Sequence, residues 1–118
     1  MAGTYCQTGF IDFPSAANTR DLKQITPAQL REWTDKGRDF VLVDVREDLE
    51  RELFNIGGLH VPMSELAARY NEIPADKEVV LYCEKGIRSV IAIQRLEGAG
   101  WHNLINLAGG MKHWKESV

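Results

Sequence analysis

A short apolar run followed at once by a helix-forming pattern is the strongest constraint on how this chain can fold. Residues 79–82 read Val-Val-Leu-Tyr, a β-rich segment that is too short for a helix and typical of a buried strand. From Ser89 onward, apolar residues recur at helical spacing as far as Ala99, and Gly98 and Gly100 close the run. The sequence therefore predicts a strand, a tight loop from Cys83 to Arg88, and a helix.

This order places one thiol beside a helix N-terminus. Such a terminus carries unpaired backbone amides and the positive end of the helix dipole. The six successive amides of residues 84–89 can curl into a nest for a negative charge. Lys85 and Arg88 add positive charge, and Gly86 allows a positive φ or a close ligand. A thiol in this setting ionises more readily, which favours a reactive Cys83 over an inert strand-end cysteine.

Four ordered segments of the chain resemble the rhodanese family of sulfurtransferases, and the resemblance covers residues 25–114. Each of them matches one family motif. They are Cys-x-x-Gly-x-Arg-Ser at 83–89 (the active-site loop), Val-Asp-Val-Arg-Glu at 43–47 (the Asp-x-Arg segment), Ile-Gly-Gly-Leu-His-Val-Pro at 56–62 (the His-Ile-Pro-Gly-Ala segment) and Leu-Ala-Gly-Gly-Met-Lys-His-Trp at 107–114 (the closing Gly-Gly-x-x-x-Trp). One departure is Asn55, where the family usually has His; it concerns a loop contact rather than the nucleophile.

Strand-like runs alternate with helical patterns along the chain. The nearly continuous apolar run at 40–45 predicts a central strand buried on both faces. Further short strands are predicted at 59–61 and 103–107, with a short edge strand at 23–25. The alternation indicates an α/β fold with a mostly parallel sheet covered by helices on both faces. The resemblance implies a rhodanese-like three-layer fold with five strands.

Helix starts are marked by capping signals. Thr26, Pro27 and Gln29 stand at the N-cap, first-helical and capping-box positions of one helix. Residues 47–53 are charged and fit one or two helical turns. Ser64 is predicted to cap a further helix that runs as far as Tyr70.

Two polar residues lie at the carboxyl end of the predicted central strand, the edge where ligands bind in open α/β sheets. We expect Asp44 to accept backbone hydrogen bonds from a neighbouring loop and so to steady it. Arg46 can pair with a nearby carboxylate or face the anion site. His60 has no partner at metal-ligand or triad spacing, so we assign it a structural role.

Composition narrows the classes of function. A chain of 118 residues makes one domain, and a net charge of −3 argues against a nucleic-acid partner. Cys6 and Cys83 are the only cysteines and form neither a disulfide framework nor a zinc site, so no metal or other cofactor is expected. No apolar run approaches the ~18 residues of a membrane span, and no secretory signal is evident, which predicts no membrane association and a reducing, cytoplasmic setting.

Residues 1–22 show no sustained periodicity and are predicted to be an N-terminal tail or linker, followed by the rhodanese domain at 23–118. Cys6 lies in this tail, either as an incidental exposed thiol or as a resolving cysteine that receives sulfur or pairs with Cys83. The chain is similar to rhodanese modules at the C-terminus of adenylating enzymes that activate sulfur-carrier proteins. The tail can therefore be a linker cut from a larger protein.

The resemblance implies a two-step sulfur transfer. Cys83 takes the outer sulfur of a small anionic donor such as thiosulfate, becomes a persulfide, and passes the sulfur to cyanide, a thiol or a sulfur-carrier protein. A cysteine desulfurase is another possible donor. The residues assigned to binding the substrate are Glu84, Lys85, Gly86, Ile87, Arg88 and Ser89. Asp44 and Arg46 are assigned supporting roles.

Two other hypotheses for the function stay open. Phosphatases and arsenate reductases on this fold place five residues between Cys and Arg, whereas four separate Cys83 from Arg88 here. The shorter loop fits a single sulfur better than a tetrahedral oxyanion, and Glu84 adds an unfavourable carboxylate. The second reading is a sulfur-carrier or interaction module without turnover, part of a larger adenylating enzyme. The presence of Cys83, Gly86 and Arg88 together favours an active enzyme.

Overall fold

Five short strands form one sheet in residues 22–117, the part of the chain that the computed structural model describes. The strands are β1 (Gln24–Ile25), β2 (Val41–Asp44), β3 (Leu59–His60), β4 (Val79–Tyr82) and β5 (Leu104–Leu107). Their order in the sheet is β1-β5-β4-β2-β3, and all four pairings are parallel. The predicted α/β fold with a five-stranded parallel sheet is confirmed. The tail predicted at 1–22, with Cys6, lies outside the described residues except for Leu22.

Helices connect the strands. They are α1 (Pro27–Asp35), α2 (Asp48–Leu53), α3 (Leu66–Arg69), α4 (Arg88–Gly98) and α5 (Gly110–Glu116), with 3-10 turns at Met63–Glu65 and Tyr70–Glu72 on either side of α3. The predicted capping box of α1 is confirmed: the Gln29 amide donates to Thr26 Oγ1 at 3.1 Å, and the Thr26 amide donates to Gln29 Oε1 at 2.9 Å. Within residues 22–117, no helix has the length and apolar character needed to cross a bilayer.

The prediction that Ser64 caps a helix is wrong. Ser64 lies inside the 3-10 turn Met63–Glu65, and the following α-helix begins at Leu66. The hydroxyl of Ser64 donates to Glu47 Oε1 at 2.7 Å instead of accepting a hydrogen bond from its own helix. The Ser64 hydroxyl, which local sequence signals assigned to capping a helix, is therefore engaged by the carboxylate of Glu47 just before α2.

Two apolar layers enclose the sheet. Successive residues of a strand point to opposite faces, so β4 sends Leu81 into one layer and Val80 into the other. The first layer contains Leu96 of α4, and the second contains Leu30 of α1 and Met111 of α5. All four residues of β4 are buried. The fold therefore has the three predicted layers, with β4 at the centre of the sheet.

Parallel pairing brings the ends of β2 and β4 side by side. Asp44 is in register with Tyr82, and the amide of Val45 donates to the Tyr82 carbonyl at 3.0 Å. The chain segments that follow the two strands therefore leave the sheet at the same edge. Arg46 belongs to one of these segments and Cys83 to the other, which places both beside the N-terminus of α4.

Candidate active site

Cys83 directly follows β4, as the sequence predicts, and α4 begins at Arg88, one residue before the predicted start at Ser89. The residue is 1% exposed, and its carbon atoms pack in the apolar layer below α4. The backbone amides of Gly86 and Ser89 donate to Sγ at 3.1 and 3.3 Å. Two of the six amides expected around the sulfur therefore reach Sγ itself, and the thiol is buried without being isolated from hydrogen-bond donors.

Glycines hold this loop against α5. Gly86 has a φ of 87°, and a Cβ at this position would lie 3.0 Å from the Gly109 nitrogen. Gly109 and Gly110 also have positive φ values, 76° and 62°. Their turn lets the amide of Met111 donate to the Cys83 carbonyl at 2.8 Å. The amide of Lys112 donates to the Glu84 carbonyl at 2.9 Å. In the sequence the Gly-Gly segment is identified as a family motif, and this contact is not predicted.

Arg88 makes a two-pronged ion pair with Glu50 of α2. Its Nη1 and Nη2 lie 2.7 and 2.6 Å from Glu50 Oε1 and Oε2. The hydrogen bond from Arg88 lowers the pKa of Glu50 from 4.5 to about 2, and the hydrogen bond to Glu50 raises the pKa of Arg88. Lys85, by contrast, is exposed, and no ion pair of its side chain is found within residues 22–117. The charge of Arg88 is thus compensated by a carboxylate that sequence analysis did not identify.

Asp44 and Arg46 form a buried pair behind the loop. Arg46 donates from its Nε and its backbone amide to Asp44 Oδ1 at 3.0 and 2.9 Å, and from Nη2 to Oδ2 at 3.1 Å. Burial acts to lower the pKa of Arg46, but the hydrogen bond and charge of Asp44 outweigh it and raise that pKa. Arg46 Nη1 also lies 3.6 Å from Glu84 Oε1. Asp44 therefore binds both the side chain and the backbone amide of Arg46. Arg46 pairs with two carboxylates, those of Asp44 and Glu84.

A shallow pocket of about 410 Å³ opens above the sulfur. It is lined by Glu50, Cys83, Glu84, Lys85, Ile87 and Arg88. Four of the six residues assigned to substrate binding thus line the pocket, while Gly86 and Ser89 reach the sulfur through their amides. Asp44 and Arg46 do not line it. The arrangement can hold a small anion or a negatively charged sulfur next to main-chain donors.

His60 lies near the same edge of the sheet without joining the pocket lining. Its Nε2 is 2.7 Å from the Arg46 carbonyl, and its Nδ1 is 3.8 Å from Asp48 Oδ1. Among residues 22–117, no three His, Cys, Asp or Glu side chains are grouped so that they could hold a metal ion. The contacts of His60 fit the structural role that the sequence indicates.

Comparison with known proteins identifies relatives over most of the chain. A family model described as the rhodanese-like domain matches residues 26–117. The chain is 34% identical over 106 residues to the probable adenylyltransferase/sulfurtransferase MoeZ of Mycobacterium tuberculosis; this match includes 87% of the chain and 27% of MoeZ. It is 34% identical over 94 residues to the thiosulfate sulfurtransferase GlpE of Coxiella burnetii, covering 79% of the chain and 87% of GlpE.

A solved structure agrees with these sequence matches. The crystal structure of a rhodanese-related protein from Thermoplasma volcanium superposes with a TM-score of 0.71 at 28% identity. The superposition covers 80% of this chain and 92% of that protein. The likeness therefore extends to the fold as a whole as well as to the short motifs.

Adding a methyl group at Gly110 tests the contact between α5 and the Cys83 loop. In Gly110→Ala the new Cβ overlaps the Cys83 carbonyl and lies 2.7 Å from that of Glu84. We expect the free energy of unfolding in urea to fall by about 2–4 kcal/mol, from the clash and the positive φ together. Gly100→Ala is the control, since its φ is 110° but nothing lies within 4 Å. It should lose only about 1 kcal/mol, and equal losses in the two variants would contradict the proposed contact.

The Glu50–Arg88 pair predicts a pH dependence of stability. The pKa of Glu50 is lower in the folded protein, so its contribution is present above about pH 4.5 and is lost as the pH falls toward 2. Both side chains are about one-third exposed, so Glu50→Gln should reduce the free energy of unfolding at pH 7 by only about 1 kcal/mol. Urea titrations from pH 7 to pH 3 should show the difference from wild type narrowing below pH 4.5. Glu116→Gln, which removes an exposed pair with Lys112, is the control and should lose less.

Proposed function

The chain belongs to the rhodanese-like domain family, and from this premise we propose that it transfers sulfane sulfur by way of a persulfide on Cys83. Sulfur transfer as a general activity follows from its relatives, several of which are named sulfurtransferases. The observation that carries the specific proposal is the pair of main-chain amides on Sγ. Two fixed donors favour the negatively charged form of the sulfur, so the reaction needs no histidine as a general base.

The reaction has two steps. The Cys83 thiolate attacks the outer sulfur of thiosulfate; a new S–S bond forms, the S–S bond of the donor breaks, and sulfite leaves with the bonding electrons. A nucleophilic acceptor such as cyanide then attacks the outer sulfur of the persulfide and leaves as thiocyanate, which regenerates the thiolate. Such covalent catalysis predicts ping-pong kinetics.

The charges around the pocket divide the binding roles. Arg88 is held by Glu50, so we assign it mainly to shaping the loop. Lys85 is exposed, and its side chain forms no ion pair with any residue in 22–117. We therefore propose that Lys85 attracts the anionic donor. The amides of residues 84–89 are proposed to hold the outer sulfur, and Ile87 to cover it from one side.

The same geometry disfavours phosphate chemistry. The pocket contains two carboxylates, those of Glu50 and Glu84, and the cation of Arg88 is already neutralised by one of them. Arg88 is therefore not free to bind the oxygens of a phosphate, and the four residues between Cys83 and Arg88 make the loop one residue shorter than in phosphatases on this fold. We therefore prefer sulfur transfer to a phosphatase or arsenate reductase activity.

Exposed apolar side chains support a protein partner for the same pocket. Ile87 and Ile91 are 64% and 38% exposed at the start of α4, and Leu49 and Leu53 are 67% and 77% exposed on α2, the helix that supplies Glu50. Such residues are typical of a surface that contacts another protein. We propose that a sulfur-carrier protein or a cysteine desulfurase exchanges sulfur here, in a reducing compartment such as the cytoplasm. Because these exposed apolar side chains favour a protein partner, a module that only carries sulfur is the second candidate function.

Intact-mass measurement tests the persulfide directly. After incubation with thiosulfate, the wild-type protein should gain the mass of one sulfur, which cyanide then removes. Cys83→Ala should gain nothing, and Cys6→Ser, altered outside the described residues, should gain sulfur as the wild type does. Uptake by Cys83→Ala, or hydrolysis of an aryl phosphate by the wild type, would argue against the proposed activity.

The proposed role of Lys85 predicts a change in KM alone. Lys85→Gln should raise KM for thiosulfate about threefold, the effect of losing an exposed charge interaction of roughly 0.7 kcal/mol. The value of kcat should stay close to that of wild type, because the amides around the sulfur are untouched. Lys36→Gln at the C-terminal end of α1 removes an exposed charge elsewhere and should leave both constants unchanged. A fall in kcat without a change in KM in Lys85→Gln would refute this assignment.

A further inference from the structure

A chain of three polar side chains, none of which lines the pocket, leads away from Cys83. Ser89 Oγ lies 3.4 Å from Sγ and donates its hydrogen to Asn106 Oδ1. Asn106 Nδ2 in turn donates to Gln24 Oε1 at 3.1 Å. Ser89 is 0% and Asn106 2% exposed, whereas Gln24 is exposed on the edge strand β1. The chain therefore connects the buried sulfur to the surface, and the sulfur-transfer proposal gives it no role.

The hydrogens available to Ser89 and Cys83 in this arrangement fit the thiol form of Cys83. A serine hydroxyl has one hydrogen, and that of Ser89 is committed to Asn106 Oδ1. The contact with Cys83 can then be a hydrogen bond only if the S–H group donates to Oγ. When Cys83 is a thiolate, no hydrogen remains between the two atoms, and the lone pairs of Oγ face a negative charge.

The same heavy-atom positions also accept the opposite polarity. A half-turn of the amide group exchanges the nitrogen and oxygen of Asn106, and Nδ2 then donates to Ser89 Oγ. The hydroxyl of Ser89 is thereby released to donate to Sγ. The same half-turn at Gln24 lets its Nε2 donate to Asn106 Oδ1. Every group in the chain is satisfied in this second arrangement, which suits a thiolate.

We propose that Asn106 is a positioning residue that sets the direction of the Ser89 hydroxyl and reverses it when Cys83 loses its proton. The thiol proton goes to solvent, and the reversed chain supplies the thiolate with a third donor beside the amides of Gly86 and Ser89. This role rests on the proposed function, in which Cys83 reacts as a thiolate. An amide is suited to the position because it can both donate and accept, whereas a carboxylate only accepts and an apolar side chain does neither.

Other charges near the sulfur stay constant in the test. The charged and titratable groups around Cys83 are Glu84 and Lys85 on its loop, Tyr82 on β4, Arg88 on α4, Glu50 on α2, Asp44 and Arg46 at the end of β2, and Lys115 on α5, which lies 3.9 Å from Glu84. None of them is altered in the variants below. A difference between variants therefore comes from the polar chain or from a carboxylate introduced into it, and the double variant below separates these two causes.

The test is the pH dependence of alkylation of Cys83 by iodoacetamide. The rate is read by mass spectrometry on the tryptic peptide of residues 78–85, so that Cys6 does not contribute. The side chain introduced by Asn106→Asp, when ionised, has only acceptors and holds the hydroxyl of Ser89 away from Sγ. The alkylation midpoint of this variant should rise by about one pH unit, the effect of removing one hydrogen bond from the charged form. Asn106→Leu leaves the hydroxyl free to turn to Sγ, so its midpoint should stay near that of wild type.

A double variant separates a hydroxyl effect from a direct effect of the new carboxylate. Ser89→Ala removes the hydroxyl and should raise the midpoint by itself. If Asn106 acts only through Ser89, adding Asn106→Asp to Ser89→Ala produces no further rise. Additive shifts in the double variant would overturn the proposal.

Gln24 provides a surface variant in case a buried carboxylate prevents folding. Gln24→Glu should keep Asn106 Nδ2 directed at residue 24 and raise the midpoint in the same direction, by less than Asn106→Asp. Gln24→Leu, which holds neither polarity, should not. Unchanged midpoints in folded Asn106→Asp and Gln24→Glu would overturn the role of Asn106 alone. Failure of wild-type Cys83 to take up sulfur would instead overturn the proposed function, and the two results are distinguishable.

Discussion

The Cys83 loop is hydrogen-bonded from two sides, and the rest of the site depends on this arrangement. Inside the loop, the amides of Gly86 and Ser89 point at the sulfur. Outside it, the carbonyls of Cys83 and Glu84 accept hydrogen bonds from the amides of Met111 and Lys112 in the first turn of α5. A tight loop that turns its amides inward must turn carbonyls outward, and buried carbonyls need donors. The N-terminus of α5 supplies them, so the closing Gly-Gly turn serves the same site as the cysteine loop although it lies far along the chain.

Among residues 22–117, each cation near the pocket except Lys85 is paired with a carboxylate. Arg88 pairs with Glu50, and the buried Arg46 pairs with Asp44. Removing one partner of a buried pair is costly because the remaining charge is left uncompensated in a medium of low polarity. The result is a site with little net positive charge, where neutral amides rather than cations meet the sulfur. Such a site suits the single negative charge of a thiolate or persulfide, which main-chain amides can hold.

Sequence reasoning identified the parts of the site that are continuous along the chain. The strand, loop and helix around Cys83 follow one another directly, so local patterns were enough to place them. The partners that complete the site come from distant positions: Glu50 is 38 residues from Arg88, and Asn106 is 17 residues from Ser89. No local pattern joins such pairs, because the pairing of parallel strands and the packing of α2 and β5 decide which residues meet. The one available signal was Asn106 itself, a polar residue within the otherwise apolar strand Leu104–Leu107.

The position of negative charge changes during the proposed cycle, and the polar chain behind Cys83 can follow it. In the thiolate the charge is on Sγ, within reach of the Ser89 hydroxyl. In a persulfide the charge moves to the outer sulfur, about 2 Å farther along the new S–S bond. Sγ then needs fewer donors, and the hydroxyl can return to Asn106. The donors on the pocket side would serve the persulfide, and the reversible chain behind would serve the thiolate, so that each charged state has its own set of hydrogen bonds.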